Sequence, residues 1–368
     1  MTNQIRERLQ KFAYSLIDQK KAQVIVEPQC NGKGFWFGGG NIIFYDNMFW
    51  LCGRYRNDGD SRTGVGEGER GLELAIFSSS SINGPWEKVK SFSKSDLEHD
   101  NEEVVSIEGS SFLINDSGVE LYISTEKNRS YPKDVISFQK KGTGVWDIDF
   151  IAAPTVDKLN AESIERVLRT EDLGSLHLKD PVAFNLSEER EGVGLFFCSH
   201  PFTWASSNTG LAIRRQGEEK FRIKSFNAIE RGRSWDVACT RITDRLRIPT
   251  VGLLEDHRPM SLYFYDGAEC LRSLEENPDA SKRPRGFSCE EIGGMGIGYD
   301  DQFPDILRFS EDFPMFISPQ GTGCSRYIST IVTNDGILAT WQQSRKDFSQ
   351  PLVSNFLPME SITEIFAS

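Results

Sequence analysis

A chain of 368 residues is long enough to bury one large core or two smaller ones. Its 54 acidic residues against 42 Lys and Arg leave a net charge of -12, which argues against nucleic acid, because phosphate backbones are held by an excess of cations. No apolar stretch reaches signal-peptide or membrane-spanning length, and seven cysteines without a CxxC pair fit scattered thiols better than a disulfide framework or a zinc site. The expectation is a soluble cytoplasmic protein that needs no metal and no cofactor.

The chain opens with Ile5, Leu9, Phe12, Ala13, Leu16 and Ile17, whose steps of three and four place one apolar stripe on a helix, with Thr2 or Asn3 as caps. Residues 1–22 are therefore read as an N-terminal helix and 23–368 as the main domain. AESIERVLR, 161 to 169, gives a second, weaker helical pattern. Elsewhere short runs of Phe, Ile, Val and Trp alternate with Gly, Asn, Asp and Ser, which is an all-β pattern.

Five segments share one shape, an apolar run, a polar turn and a second apolar run: NIIFYDNMFWLCGR (41 to 54), SSFLINDSGVELYIST (110 to 125), PVAFNLSEEREGVGLFFCSH (181 to 200), TVGLLEDHRPMSLYFYDG (250 to 267) and DILRFSEDFPMFISPQG (305 to 321). From Asp46 to Asp116 is 70 residues, from Asp116 to Asp256 140 with one unit between, and from Asp256 to Asp312 56. Behind the hairpins come further strand-like stretches at 72–89, 135–149, 209–225 and 326–344. Four strands per unit make a propeller blade, and stacking blades around an axis buries both faces of each small sheet. The pattern predicts a five-bladed β-propeller; a pair of β-sandwiches is the alternative.

In a propeller the first strand of each blade lines the axis, and its start lies at one mouth of the channel. Glu108 precedes Phe112 by four, Asp180 precedes Phe184 by four and Asp305 precedes Phe309 by four, so three units present an acid at one register. Such acids are expected to stay wet and face a shared cavity.

At this point the chain resembles the five-bladed propeller glycosidases, glycoside hydrolase families 43, 32 and 130. The likeness rests on the repeats, on the KDPVAF inner strand and on LAIFSSSSINGPWEKV, which is similar to the outer strands of a first blade in that group. The resemblance implies cleavage of a glycosidic bond by two carboxylates, one donating a proton and one acting as base or nucleophile. In family 43 an Asp general base, an Asp that modulates pKa and a Glu general acid begin the inner strands of the first, second and third blades. Here the first blade begins GGGN, 38 to 41, without a carboxylate.

Glu108 is accordingly read as the proton donor, Asp180 as the base or its modulator and Asp236 as the reserve. Asn41, Arg54, Arg56, Trp36, His177, Trp235 and Asp301 are the candidates for holding a sugar. Each has a plainer reading: turn residue for Asn41, salt bridges for the arginines, blade packing for the tryptophans, a hydrogen-bonded structural ring for His177 and a solvated loop for Asp301. GVGEGERG, 64 to 71, imitates a phosphate loop but lacks the βαβ setting, and is read as a mobile loop over the channel. The expected partner is a carbohydrate, with a glycoside phosphorylase and a non-catalytic carbohydrate-binding propeller as alternatives; membrane and nucleic acid are not expected, and the oligomeric state is open.

Overall fold

The computed structural model describes residues 1–58, 69–186, 191–202, 206–269 and 291–367. Helix α1 (Asn3–Leu16) is followed by β1 (Gln23–Val26). Blade one then comprises β2 (Phe37–Gly38), β3 (Ile42–Tyr45), β4 (Met48–Asp58), β5 (Glu69–Ser79) and β6 (Glu87–Ser93), with β2 and β3 both paired to β4 as one interrupted inner strand. Blade two is β7 (Val104–Asn115), β8 (Gly118–Lys127), β9 (Val145–Ala153) and β10 (Glu165–Leu168). Blade three is β11 (His177–Asn185), β12 (Gly192–His200), β13 (Asn208–Arg215) and β14 (Arg222–Ile229).

Blade four is β15 (Cys239–Arg247), β16 (Met260–Ala268), β17 (Ile292–Tyr299) and the short β18 (Leu307–Arg308). Blade five is β19 (Ser325–Thr333), β20 (Gly336–Gln343) and β21 (Leu352–Pro358), closed by β1 as its outer strand. The chain ends in α2 (Met359–Ile365). Each inner strand starts a blade, and the two chain ends meet in the last one.

The first three hairpins stand as read; the last two are shifted. In the fourth, the inner strand is the upstream CTRITDRLR segment, because Pro249 follows it without a ladder N–H and Val251 and Leu254 turn onto the core beneath Phe366. In the fifth, residues 305–321 contribute only the two-residue β18 and an edge contact of Phe316 to Gly293, since prolines at 304, 314 and 319 have no N–H to give a ladder. The stretch assigned behind that unit, 326–344, is the true β19–β20 hairpin. Asp305 is thus an exposed loop residue of blade four and lies outside the axial register. AESIERVLR forms a single 3-10 turn and then β10, because β9 offers it an unpaired edge that outweighs weak helix propensity. Of GVGEGERG, residues 64–68 lie outside the described residues and 69–71 begin β5.

Helix α1 is docked, as its stripe requires. Thr2 caps it by accepting from the Ile5 N–H at 3.3 Å, and Leu9, Phe12, Ala13 and Leu16 are fully buried in a core shared with Phe264, Trp341, Val353 and Phe366 from blades four and five and the chain end. Phe12 meets Phe366 with ring centroids 5.6 Å apart. Among the described residues no helix is long and apolar enough to cross a membrane.

Neighbouring blades are joined by polar stitches. The Asn41 side chain accepts from the Phe112 N–H at 2.8 Å and donates to the Phe112 carbonyl at 2.9 Å; the Ser111 hydroxyl accepts from the Ala183 N–H, the Thr209 hydroxyl from the Ile242 N–H, and Thr330 donates to Asp244. Each satisfies a backbone or carboxylate group that the blade joint removes from water.

Two measurements check this packing. Phe12→Ala is expected to cost about 3–5 kcal/mol in chemical denaturation, the usual loss for a buried phenylalanine. Burial pushes the Asp244 carboxyl up to about 7 from its ordinary 3.8. A carboxyl raised in the folded state takes up protons that the unfolded chain has released, so wild-type stability falls as pH rises from about 4 to about 7 on account of this group. Asp244→Asn is expected to flatten that slope in a series of melting temperatures against pH.

Candidate functional site

All five inner strands are broken at one level. β7 is bulged between Ile107 and Ser110, β11 between Lys179 and Val182, β15 between Ile242 and Asp244 and β19 between Arg326 and Ser329, while β2 and β3 are parted by Gly39 and Gly40. Gly39, Asp180 and Tyr327 have φ of 73°, 54° and 52° there. For Asp180, and still more for the bulky Tyr327, that left-handed conformation is strained and persists only where the surroundings enforce it. The bulges in β7, β11 and β19 carry Glu108, Asp180 and Tyr327 into one network.

What meets on the axis is a buried charge network. Arg54 donates through Nε and Nη2 to Oε2 of Glu108 at 2.8 and 2.6 Å, and Arg56 lies 3.5 Å from Oε1. Asp180 accepts from the Gly109 N–H at 3.0 Å and the Tyr327 hydroxyl at 3.2 Å on Oδ1, and from Arg241 at 3.0 Å on Oδ2. Arg241 is the hub: it also pairs with Asp266 at 2.7 Å and Glu291 at 2.9 Å, and it covers the Tyr327 ring at 4.1 Å. Arg326 pairs with Glu291 and lies 4.4 Å over Trp36. The Arg54 Nη2 approaches the Tyr327 hydroxyl at 3.5 Å, so Glu108 and Asp180 are linked as Glu108–Arg54–Tyr327–Asp180.

The acids are therefore dry, contrary to the expectation of a wet mouth: Glu108 is 6% and Asp180 3% exposed. Their charge is accepted because guanidinium donors replace the lost water. Burial opposes ionisation of Glu108, yet Arg54 and Arg56 hold it well below the ordinary carboxylate range. Burial pushes Asp266 up to about 6 against the pull of Arg241, whereas in Glu291 the pull of Arg326 and Arg241 overcomes burial and brings it to about 2.

The first blade has glycine at this break for a backbone reason. A Cβ at Gly39 would make ordinary contacts with Gly109 at 3.5 Å and the Tyr327 ring at 3.6 Å, but its φ of 73° is a conformation that residues with side chains rarely adopt.

The remaining candidates are dispersed. Asp236 is fully buried, and its carboxylate accepts from Arg308 at 2.7 Å and Tyr265 at 3.1 Å, both within blade four. Trp235 stacks on Tyr265 at 5.5 Å. Trp36 lies between Arg56 and Arg326 beside the network. Asn41 is committed to Phe112. His177 accepts from the Trp146 N–H, stacks on His200 at 4.5 Å and is pushed down to about 3 by burial, so the ring is neutral. Asp301 is half exposed and pairs with Arg258 in the loop leading out of β17.

Arg241, Arg326, Tyr327, Asp266 and Glu291 were not singled out from the sequence. A signal was present: Cys239-Thr240-Arg241 and Cys324-Ser325-Arg326 repeat one Cys-x-Arg pattern at the start of two inner strands.

No protein-family model matches the sequence, and no curated protein matches it. Solved structures do match in shape. One described as a glycoside hydrolase aligns over 98% of this chain and 96% of its own with a TM-score of 0.62 at 11% identity. A thermostable family-43 glycoside hydrolase aligns over 90% of this chain and 91% of its own with a TM-score of 0.56 at 11% identity. An α-L-arabinofuranosidase from Lactobacillus brevis aligns over 87% and 90% with a TM-score of 0.55, also at 11% identity. The fold is the five-bladed propeller of family-43-like glycoside hydrolases. At these identities the likeness concerns the path of the backbone, and the chemistry rests on the residues present.

Arg241→Met is expected to destabilise the protein by about 3–5 kcal/mol in urea denaturation, because it leaves Asp180, Asp266 and Glu291 short of their shared counter-charge.

Proposed function

We propose that this chain is a carbohydrate-active propeller of the glycosidase kind, taking a short glycoside at the axial mouth with Glu108 and Asp180 as its reactive carboxylates. The observation that carries the reading is their convergence: two acids from successive blades, carried on bulged inner strands, joined through Arg54 and Tyr327. Backbone strain at Asp180 and Tyr327 supports it, since strained positions gather at functional sites. The resemblance of the fold to glycoside hydrolases adds an argument by analogy. Asp236 stays in reserve only as a support of blade four.

Glu108 enters this scheme as an ionised group. A donor must keep its proton near the working pH, and the two arginines oppose that. Glu108 therefore suits the base or charge-stabilising role; acting as donor, it would confine turnover to strongly acidic solution.

Binding without cleavage is the second reading, and one observation favours it. Both oxygens of both carboxylates face protein cations or donors, leaving little basicity for a substrate. Phosphorolysis is the variant in which phosphate replaces water.

Turnover of a panel of glycosides between about pH 3 and 8, with and without phosphate, tests these readings alongside calorimetric binding. Cleavage that Glu108→Gln and Asp180→Asn each lower by roughly 100-fold or more, with the fold intact, is the expected result. Sugar phosphate formed only when phosphate is added assigns the phosphorylase. Saturable binding with no turnover at any pH removes the acid–base assignment.

A further inference from the structure

Blade one carries two guanidiniums for one carboxylate. Arg54, 1% exposed, spends Nε and Nη2 on Glu108, and among the described residues its Nη1 has no hydrogen-bond partner. Arg56, two residues along the same strand and 8% exposed, meets Glu108 only as an ion pair at 3.5 Å, and its Nη1 makes no hydrogen bond. The Arg56 guanidinium lies 5.3 Å over the ring of Trp36, which is 6% exposed and whose Nε1 is also buried and unpartnered.

All three unmet atoms are donors. Buried donors are nearly always paired, so a cluster of them calls for a ligand rich in lone pairs. Among the described residues the charge agrees: Arg54 and Arg56 less Glu108 leave a single positive charge in this low-dielectric corner, the neighbouring Arg326 being paired with Glu291. Burial draws Arg56 down to about 10, so it remains a cation at neutral pH. A neutral hydroxyl brings a proton of its own and leaves the charge unmet. A carboxylate brings two acceptor oxygens and one negative charge, and its planar fork matches a guanidinium edge. Phosphate near neutrality carries more charge than this corner offers, about 1.5 to 2 units.

We infer that this corner of the axial mouth, formed by Arg54, Arg56 and Trp36, takes the carboxylate of an acidic sugar. The inference rests on the proposed reading of the mouth as a sugar site and names the class of sugar. A carboxylate there also shares the two arginines with Glu108, drawing positive charge away from that side chain when substrate is bound.

Calorimetric titration of the full chain with galacturonate and glucuronate, against galactose, glucose and inorganic phosphate, tests it. The acidic sugars are expected to bind at least about tenfold more tightly than their neutral counterparts, and added salt to shrink the difference. Arg56→Gln is expected to abolish that preference and Arg56→Lys to retain part of it, with the melting temperature of each variant confirming that it is folded. Neutral sugars binding as tightly as uronates would overturn the inference while leaving the sugar site standing. Phosphate binding in an Arg56-dependent manner, with no uronate binding, overturns the carboxylate assignment and favours the phosphorylase variant of the sugar reading. Binding of none of these overturns both.

Discussion

The structure depends on one interaction, the burial of Arg241 among three carboxylates on the propeller axis. Charges removed from water are tolerated only when opposite charge and hydrogen-bond donors replace the solvent. Here those replacements come from different blades. Arg241 belongs to the inner strand of the fourth, Asp180 to the third and Tyr327 to the fifth, while Asp266 and Glu291 flank the hub from β16 and the approach to β17. The axis is therefore a joint, at which Arg241 ties blade four to Asp180 of blade three and Tyr327 of blade five. The strained backbone at Asp180 and Tyr327 fits this arrangement, since the network holds both residues in conformations that they would not adopt alone.

The architecture was largely legible because its cause is local. A hairpin with apolar runs on both arms announces itself wherever it occurs, and blades one to three were placed by that signal. It failed where apolar residues serve another purpose: Val251 and Leu254 look like strand residues but cover the chain end, and Leu307 and Phe316 sit among prolines that cannot support a full ladder. The site was less legible because its causes are distant. Glu108 and Asp180 could be picked out by their register, but the partners that set their chemistry, such as Tyr327 for Asp180, come from other blades. Charge compensation is a property of pairs, and a reading along the chain sees one member at a time.

Residue 39 shows how one inner-strand break can carry different residues in different blades. The break that presents Glu108 in blade two and Asp180 in blade three presents glycine in blade one, and the Tyr327 ring of blade five lies against it. Arg54, Arg56 and Arg241 surround the two acids, and Tyr327 adds an aromatic hydroxyl. The sheet order is the same in every case, while the chemistry at the axis is set by which side chain each break carries.

The pairing of β1 with β21 has a consequence for how the molecule is made. A strand near the amino end has no edge to join until residues near the carboxyl end exist. During synthesis the earlier blades can form in turn, but the ring stays open and the opening helix has no complete surface to dock upon. The pairing of first and last strands thus ties the ring shut with contacts between residues more than 300 positions apart, which is the slow, non-local kind of contact to form.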